Sequence, residues 1–383
     1  MKRIILAANA TPREGGLGLN FAHMLGALDG EFEPHALCAA PAAGVPTTVL
    51  HPSAFARRFF ALPLVRRLRA WEANVAEEHF DRQVALHLSH CAVFQGLTGQ
   101  CERSLARART LGARSLLDVV TVHNDEGDLR VARECAALGV PFQPNRGQGI
   151  RRKREYESAD MIRVMSRHAQ RTFLDRGFSP DRVRVLHPPV EPDLFPLARF
   201  NHSRFRVTFI GRLEIGKAFH HAIDAFRAAG LKDAELVLWG GAGSREVSRY
   251  LRDRVEGDTS VQVRPVPIRV AGLEEVFGKS HIVVHPSVAD GFGYVVGEAM
   301  AAGVPVIASD TTGGSDWIED GVNGFKVPVG DIQALAERIR WCYDHAARLP
   351  AMGASARATA SAHHPGHFRS EYLPLLRELA EIR

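Results

Sequence analysis

Between His285 and Pro328 the chain reads HPSVADGFGYVVGEAMAAGVPVIASDTTGGSDWIEDGVNGFKVP, and this stretch leaves few folds open. An apolar run ending at Val283, Val284 and His285 predicts a buried strand. Pro286 to Gly293 is a glycine-rich turn with one acid, and a short helix carrying Glu298 follows. Gly303 stops that helix, and Val304 to Ala308 reads as the next buried strand. Strand, loop, helix and strand in this order make a βαβ unit of a doubly wound sheet. The first helical N–H groups, near Gly293, Tyr294 and Val295, have no partner inside the helix and lie at the positive end of its dipole, so the turn is suited to an anion such as phosphate. Asp290 and Glu298 flank that point, one on the loop and one in the helix, placed to hold hydroxyl groups on either side of it.

These residues resemble the donor-site signature of the retaining glycosyltransferases of family 4. That family usually carries two Glu residues eight apart, with Gly-Phe-Gly after the first. Here Gly291-Phe292-Gly293 and Glu298 are kept, and Asp290 stands for the first Glu. The likeness continues through Pro305 to Ser309, Gly313-Gly314 and Gly321 to Gly324, and it is good over about residues 115–345. It implies an α/β chain of GT-B fold, with two doubly wound Rossmann-like domains facing across a cleft. The expected division is an acceptor domain, 1–192, and a nucleotide-sugar domain, 193–365, with a last helix of about 366–383 packing back on the first.

A second cationic loop supports the same reading. Phe205 to Ile210 predicts a strand that ends in Gly211-Arg212-Leu213-Glu214-Ile215-Gly216-Lys217, before a helix whose buried stripe is Phe219, Ala222, Ile223, Phe226 and Ala229. Arg212 and Lys217 so placed can neutralise a diphosphate, the arginine with a planar fork and the lysine with a compact charge. The spacing is similar to the family's Gly-Arg-Leu-x-x-x-Lys, with Ala218 where a glycine commonly follows the lysine. Gly240, Gly241 and Gly243 resemble the family's next glycine turn. In Val261 to Pro267, where family members hold the nucleobase, Pro265 replaces a common glycine.

In the first half, Lys2 to Ala8 predicts a strand and Thr11 to Gly18 a glycine-rich turn before a helix from Leu19 to Leu28. In the implied fold Gly15 and Gly16 would let the backbone approach the donor phosphates. Strands over Ser89–Phe94 and Ser115–Val120 flank a helix from Gln100 to Leu111. Asp118, His123, Asn124 and Asp125 fall at or beyond the second strand's carboxyl end, where open α/β sheets bind ligands. His123 matches a family histidine that lines the sugar pocket, and the resemblance gives it a hydrogen bond to the transferred sugar. The basic run RRKREYE, from Arg151, opens a helix, and Ser166 caps another.

With 383 residues, 45% hydrophobic and 24% charged, the chain can build two ordinary cores. Its net charge of +5 suits an anionic substrate, an acidic membrane face or nucleic acid. Five scattered cysteines without ligand spacing favour a reducing compartment and no structural zinc. The apolar start is short for a leader and reads as the first strand. Residues 55–71, with five arginines and no acid, predict two amphipathic pieces suited to anionic lipid or to packing on the domain core. The expectation is thus a cytoplasmic protein, peripheral on the inner membrane face if residues 55–71 bind lipid.

The expected chemistry is transfer of a hexosyl group from a UDP- or GDP-sugar to a glycan, lipid-linked or small-molecule acceptor, with retention. No Asp-x-Asp pair lies beside the phosphate loops, so no metal and no cofactor is expected. Epimerisation or hydrolysis of the nucleotide sugar on the same fold is the alternative. A nucleic-acid scaffold would use the arginine runs but leave Asp290, Glu298 and Lys217 without a role, so nucleic acid is not an expected partner.

Overall fold

The computed structural model describes residues 1–50, 69–265 and 272–381. Residues 55–68 of the basic segment and the end of the expected nucleobase segment lie outside these. Among the described residues no helix is long and apolar enough to cross a membrane.

Chain order in the first half is β1 (Arg3–Ala8), α1 (Gly15–Ala27), β2 (Glu33–Cys38), β3 (Thr47–Val49), α2 (Arg69–His87), β4 (Val93–Leu97), α3 (Glu102–Thr110), β5 (Arg114–Val119), α4 (Asn124–Ala137), α5 (Arg146–Ser158), β6 (Met161–Val164), α6 (Arg167–Leu174) and β7 (Val183–Val185). The second half runs β8 (Phe205–Ile210), α7 (Phe219–Ala229), β9 (Ala234–Trp239), α8 (Arg245–Val255), β10 (Val261–Arg264), β11 (Ile282–His285), α9 (Tyr294–Ala301), β12 (Val306–Ser309), β13 (Gly324–Val327), α10 (Ile332–Asp344), α11 (Leu349–Ala362) and α12 (Pro365–Glu381).

Two sheets result, ordered β3-β2-β1-β4-β5-β6-β7 and β10-β9-β8-β11-β12-β13. Their strands pair in parallel, as in Val283 with Val306 and Phe209 with Leu238. Strands such as β8, β9, β11 and β12 are buried along their whole length, which is why they read as unbroken apolar runs. Strand order reverses between β1 and β4 in one sheet and between β8 and β11 in the other. The loops leaving those strands therefore open onto a crevice at the carboxyl edge of each sheet. This is the α/β, two-domain GT-B architecture.

Helix α11 packs on α9, where Ala356 and Ala360 share a core with Ala299, Met300 and Ala301. Helix α12 crosses to the first domain and buries Phe368, Tyr372, Leu376 and Leu379 with Phe21, Met24 and Leu28. It starts at Pro365, next to the expected 366, because a proline suits a first helical turn, whose N–H groups need no intrahelical acceptor. The Tyr372 hydroxyl donates to Gln95, tying this last helix to β4.

Asp118 is taken up inside the first domain. It lies inside β5, 1% exposed, and accepts from Arg163 Nη1 at 2.8 Å and from Asn20 Nδ2 at 2.8 Å. Arg163, fully buried on β6, also donates to Asn20 Oδ1 and to the Leu186 carbonyl and lies over the Phe368 ring. Removing one partner strands the other charge. Arg163→Ala is expected to lower unfolding free energy by about 3–5 kcal/mol in urea titration, and Asp118→Asn plus Arg163→Met to lower it by less. Equal losses would argue against a charge-stranding cost.

Candidate active site

Strands β8 and β11 are neighbours at the switch point, so the loops that follow them meet although 73 residues separate Lys217 from Asp290. After β8, Arg212 points outward with 76% of its side chain exposed and pairs with Glu214 at 3.2 Å. Lys217 ends a single 3-10 turn, Ile215–Lys217. The next residue, Ala218, has φ 52°, in the left-handed region where a Cβ is strained, which explains the glycine usual at this place in the resembling family.

Asp290 is 9% exposed, and its Oδ2 accepts from the Lys217 ammonium and, at 3.0 Å, from His285 Nε2. Burial pushes its pKa upward, but the Lys217 charge and then the His285 hydrogen bond outweigh it and hold the carboxyl well below the usual range. Asp290 is thus ionised and fixed. The sequence reading gave Lys217 to a diphosphate and Asp290 to a sugar; in the structure they hold each other. In the sequence His285 stands only as a strand end, and its spacing of five from Asp290 across the turn is the signal that places it here.

The turn is bound to the first domain. Ser166 Oγ donates to the Gly291 carbonyl at 2.6 Å, and a Cβ on Gly291 would lie 2.2 Å from the Val120 carbonyl oxygen, so a side chain has no room there. Gly293 caps α9 with φ 77°, and a Cβ on it would lie 2.9 Å from His285 Nε2. The first bond of that helix runs from Val296 N to Gly293 O, leaving the Gly293, Tyr294 and Val295 N–H groups without an intrahelical partner. Phe292 is buried against Trp317, ring centroids 4.8 Å apart, and so anchors the turn from below.

Across the cleft, α1 begins at Gly15 instead of Leu19. Gly18 permits this by letting the Thr11 carbonyl lie where a Cβ would be, 2.0 Å away, which folds the loop onto the helix. Gly15 has φ 62° and open space beside it. A Cβ on Gly16, in contrast, would lie 3.1 Å from the Tyr294 ring, so that ring covers Gly16 from the second domain. The amino ends of α1 and α9 therefore meet.

Glu298 lies one turn into α9, beside a cavity of about 30 Å³ bordered by Pro189, Phe195, Phe292, Tyr294 and Trp317. Burial lifts its pKa to about 7. Between the ordinary carboxylate value and about 7 the folded chain keeps a proton that the unfolded chain has lost, so stability falls as pH rises through that window. Glu298→Gln is expected to melt above the parent at pH 8 and together with it near about pH 4. Differential scanning calorimetry at both values checks this; a variant less stable at pH 8 contradicts it.

His123 takes a different place from the one expected. Its Nδ1 accepts from Asp125 N at 3.3 Å, capping α4, and the 4%-exposed ring packs against Tyr156, Phe173 and Phe178. Burial lowers its pKa to about 4, so the ring is neutral at neutral pH. These partners all belong to the first domain. The neighbouring Val120 and Thr121 backbone, and not the histidine side chain, meets the Gly291 turn.

A cationic loop, an ionised acid and a free helix end thus share one crevice between two domains. The family model described as glycosyl transferases group 1 matches residues 204–345, a span that includes both loops. D-inositol 3-phosphate glycosyltransferase 1 of Catenulispora acidiphila is 32% identical over 203 residues, 47% of this chain and 48% of that protein. D-inositol 3-phosphate glycosyltransferase of Mycolicibacterium paratuberculosis is 29% identical over 271 residues, 67% of this chain and 60% of that protein. The chain thus spans only about half to three-fifths of these relatives' length. Among solved structures, Anabaena HepE in complex with UDP and glucose aligns with TM-score 0.69 at 18% identity, covering 99% of this chain and 100% of that one. Sucrose-phosphate synthase of Thermosynechococcus elongatus aligns with TM-score 0.73 at 20% identity, covering 99% of both chains.

Proposed function

We propose that this chain, whose second domain is of the glycosyl transferases group 1 type, moves a hexosyl group from a nucleotide diphosphate sugar to an acceptor hydroxyl with retention at the anomeric carbon. The observation that carries the proposal is the meeting of Lys217, Asp290 and the amino end of α9 at one sheet's switch point, with Arg212 exposed on the same loop as Lys217. The donor is a UDP- or GDP-sugar. UDP is supported by the complex of the Anabaena neighbour, and a small-molecule acceptor, ahead of a glycan or a lipid-linked one, by the names of the inositol phosphate relatives.

As the glycosidic bond breaks, negative charge gathers on the leaving diphosphate. Free N–H groups of α9 and the Lys217 ammonium stabilise it, with Arg212 swinging in from solvent. Groups fixed beforehand in a site of low dielectric are the most effective kind. Asp290 accepts from sugar hydroxyls and Glu298 from ribose hydroxyls. The acceptor attacks from the face the diphosphate leaves, and that diphosphate takes the hydroxyl proton, so no covalent nucleophile is needed. His123, packed into the first domain's aromatic cluster and neutral at neutral pH, takes no part in the transfer. Cations of the chain answer the diphosphate, so the transfer itself runs without a metal.

Incubation with UDP- and GDP-hexoses, with and without an acceptor pool, tests the proposal by NMR of the products. Acceptor-dependent product with the donor's anomeric configuration is expected. Free sugar or an epimer formed equally fast without acceptor would overturn it in favour of a hydrolase or epimerase.

A further inference from the structure

Helix α4 belongs to the first domain in sequence but lies against the second. Cys135 is part of the second domain's core, and Val131 Cγ2 lies where it would be 3.2 Å from a Cβ on Gly216. Between these two contacts stands Glu134. Its Oε1 accepts from His220 Nε2 and from His221 Nε2, each at 2.8 Å, both in the first turn of α7. Among the described residues this trio brings its ligand atoms within 4.8 Å of one another. Both rings are deep, His220 at 1% and His221 at 6% exposure, and the Nδ1 atom of each has no hydrogen-bond partner.

We propose that Glu134, His220 and His221 form a zinc-class metal site that staples the two domains. Two imidazoles and one carboxylate are a donor set that zinc favours, with a fourth position left to water. Ligand atoms around a tetrahedral ion stand about 3.3 Å apart, so each nitrogen withdraws from Oε1 by roughly half an ångström to admit it. Each ring binds the ion through Nε2 and carries its N–H on Nδ1, the atom that has no other partner. Glu134, partly exposed, gives the ion its entry. Arg254, over the Tyr250 ring that also touches His220, is ion-paired with Asp224, so its charge is already answered.

Because the ligands come from both domains, the ion binds only when α4 is docked on α7, which also fixes the Lys217 loop that precedes α7. Residues 134, 220 and 221 are too dispersed for ligand spacing to reveal them, and reading the cysteines alone says nothing about such a site. This staple is separate from the diphosphate site and does not rest on the reaction proposed above.

The test uses the full chain stripped by chelator, titrated with Zn²⁺ by calorimetry and with Co²⁺ as a visible-absorbance probe. One equivalent is expected to bind, with a raised melting temperature and tetrahedral Co²⁺ bands, all lost in Glu134→Gln and in His221→Ala. Equal uptake by parent and variants, or a parent without Co²⁺ bands, would overturn the proposal and leave a hydrogen-bonded contact. The Co²⁺ spectrum of the unmodified chain decides even if a variant fails to fold. Donor-induced stabilisation of Glu134→Gln reports separately on the nucleotide-sugar reading.

Discussion

Lys217→Ala is expected to lower kcat/KM for transfer by a factor of about 10²–10³. The ammonium is the cation that already sits in the cleft with a fixed position, whereas Arg212 must leave solvent to help. Its loss also frees Asp290 from the charge that most strongly opposes its burial, so that carboxylate rises toward protonation and its grip on sugar hydroxyls weakens. Two contributions are therefore mixed in the single variant. The pair Lys217→Ala and Asp290→Asn, each alone and together, separates them. Losses that add in full would mean that Lys217 acts on the diphosphate independently of Asp290. A double variant no worse than Lys217→Ala would mean that it acts chiefly by holding Asp290. A variant with parental kcat/KM would remove Lys217 from the mechanism.

Gly291→Ala is expected to abolish at least about 99% of activity while both domains stay folded. A methyl group at that position would meet the Val120 carbonyl at 2.2 Å and the Thr121 Cα at 2.8 Å, both backbone atoms of the other domain. Backbone cannot rotate away as a side chain can, so the cleft has to part by about an ångström, and a misplacement of that size costs about 10² in rate. The donor site lies on the second domain, so the variant should still be stabilised by nucleotide sugar. Overpacking also lowers stability by about 1–3 kcal/mol. Transfer assays beside circular dichroism check this; full activity would show that the Val120 contact is absent during turnover.

How much of this was legible in the sequence depends on distance along the chain. The β8 and β11 units were readable because each motif is local: a buried strand, a glycine turn and a helix start lie within about fifteen residues. Phe219, Ala222, Ile223, Phe226 and Ala229 are all buried in α7 as their spacing predicts. Helix α4 was not predicted at all. It opens on polar residues, and the second-domain surface that it covers with Val131 and Cys135 is absent from its own sequence. The same limit hid Asp118 with Arg163 and Glu134 with His220 and His221. Partners 45 or more residues apart carry no periodic signal. His123 shows the converse: strand-end position suggested a ligand contact, whereas three aromatic neighbours from α5, α6 and the loop after α6 turned the ring into the core.

A thermal-shift panel of UDP-, GDP- and ADP-sugars on the parent chain and on Lys217→Ala reads the donor site directly. A donor at 100 times its Kd stabilises the folded state by about 2.7 kcal/mol. A UDP- or GDP-sugar is expected to raise the melting temperature of the parent, and Lys217→Ala to lose most of the rise. A parent unmoved by every nucleotide sugar, or a variant that responds as the parent does, would contradict the proposed donor site.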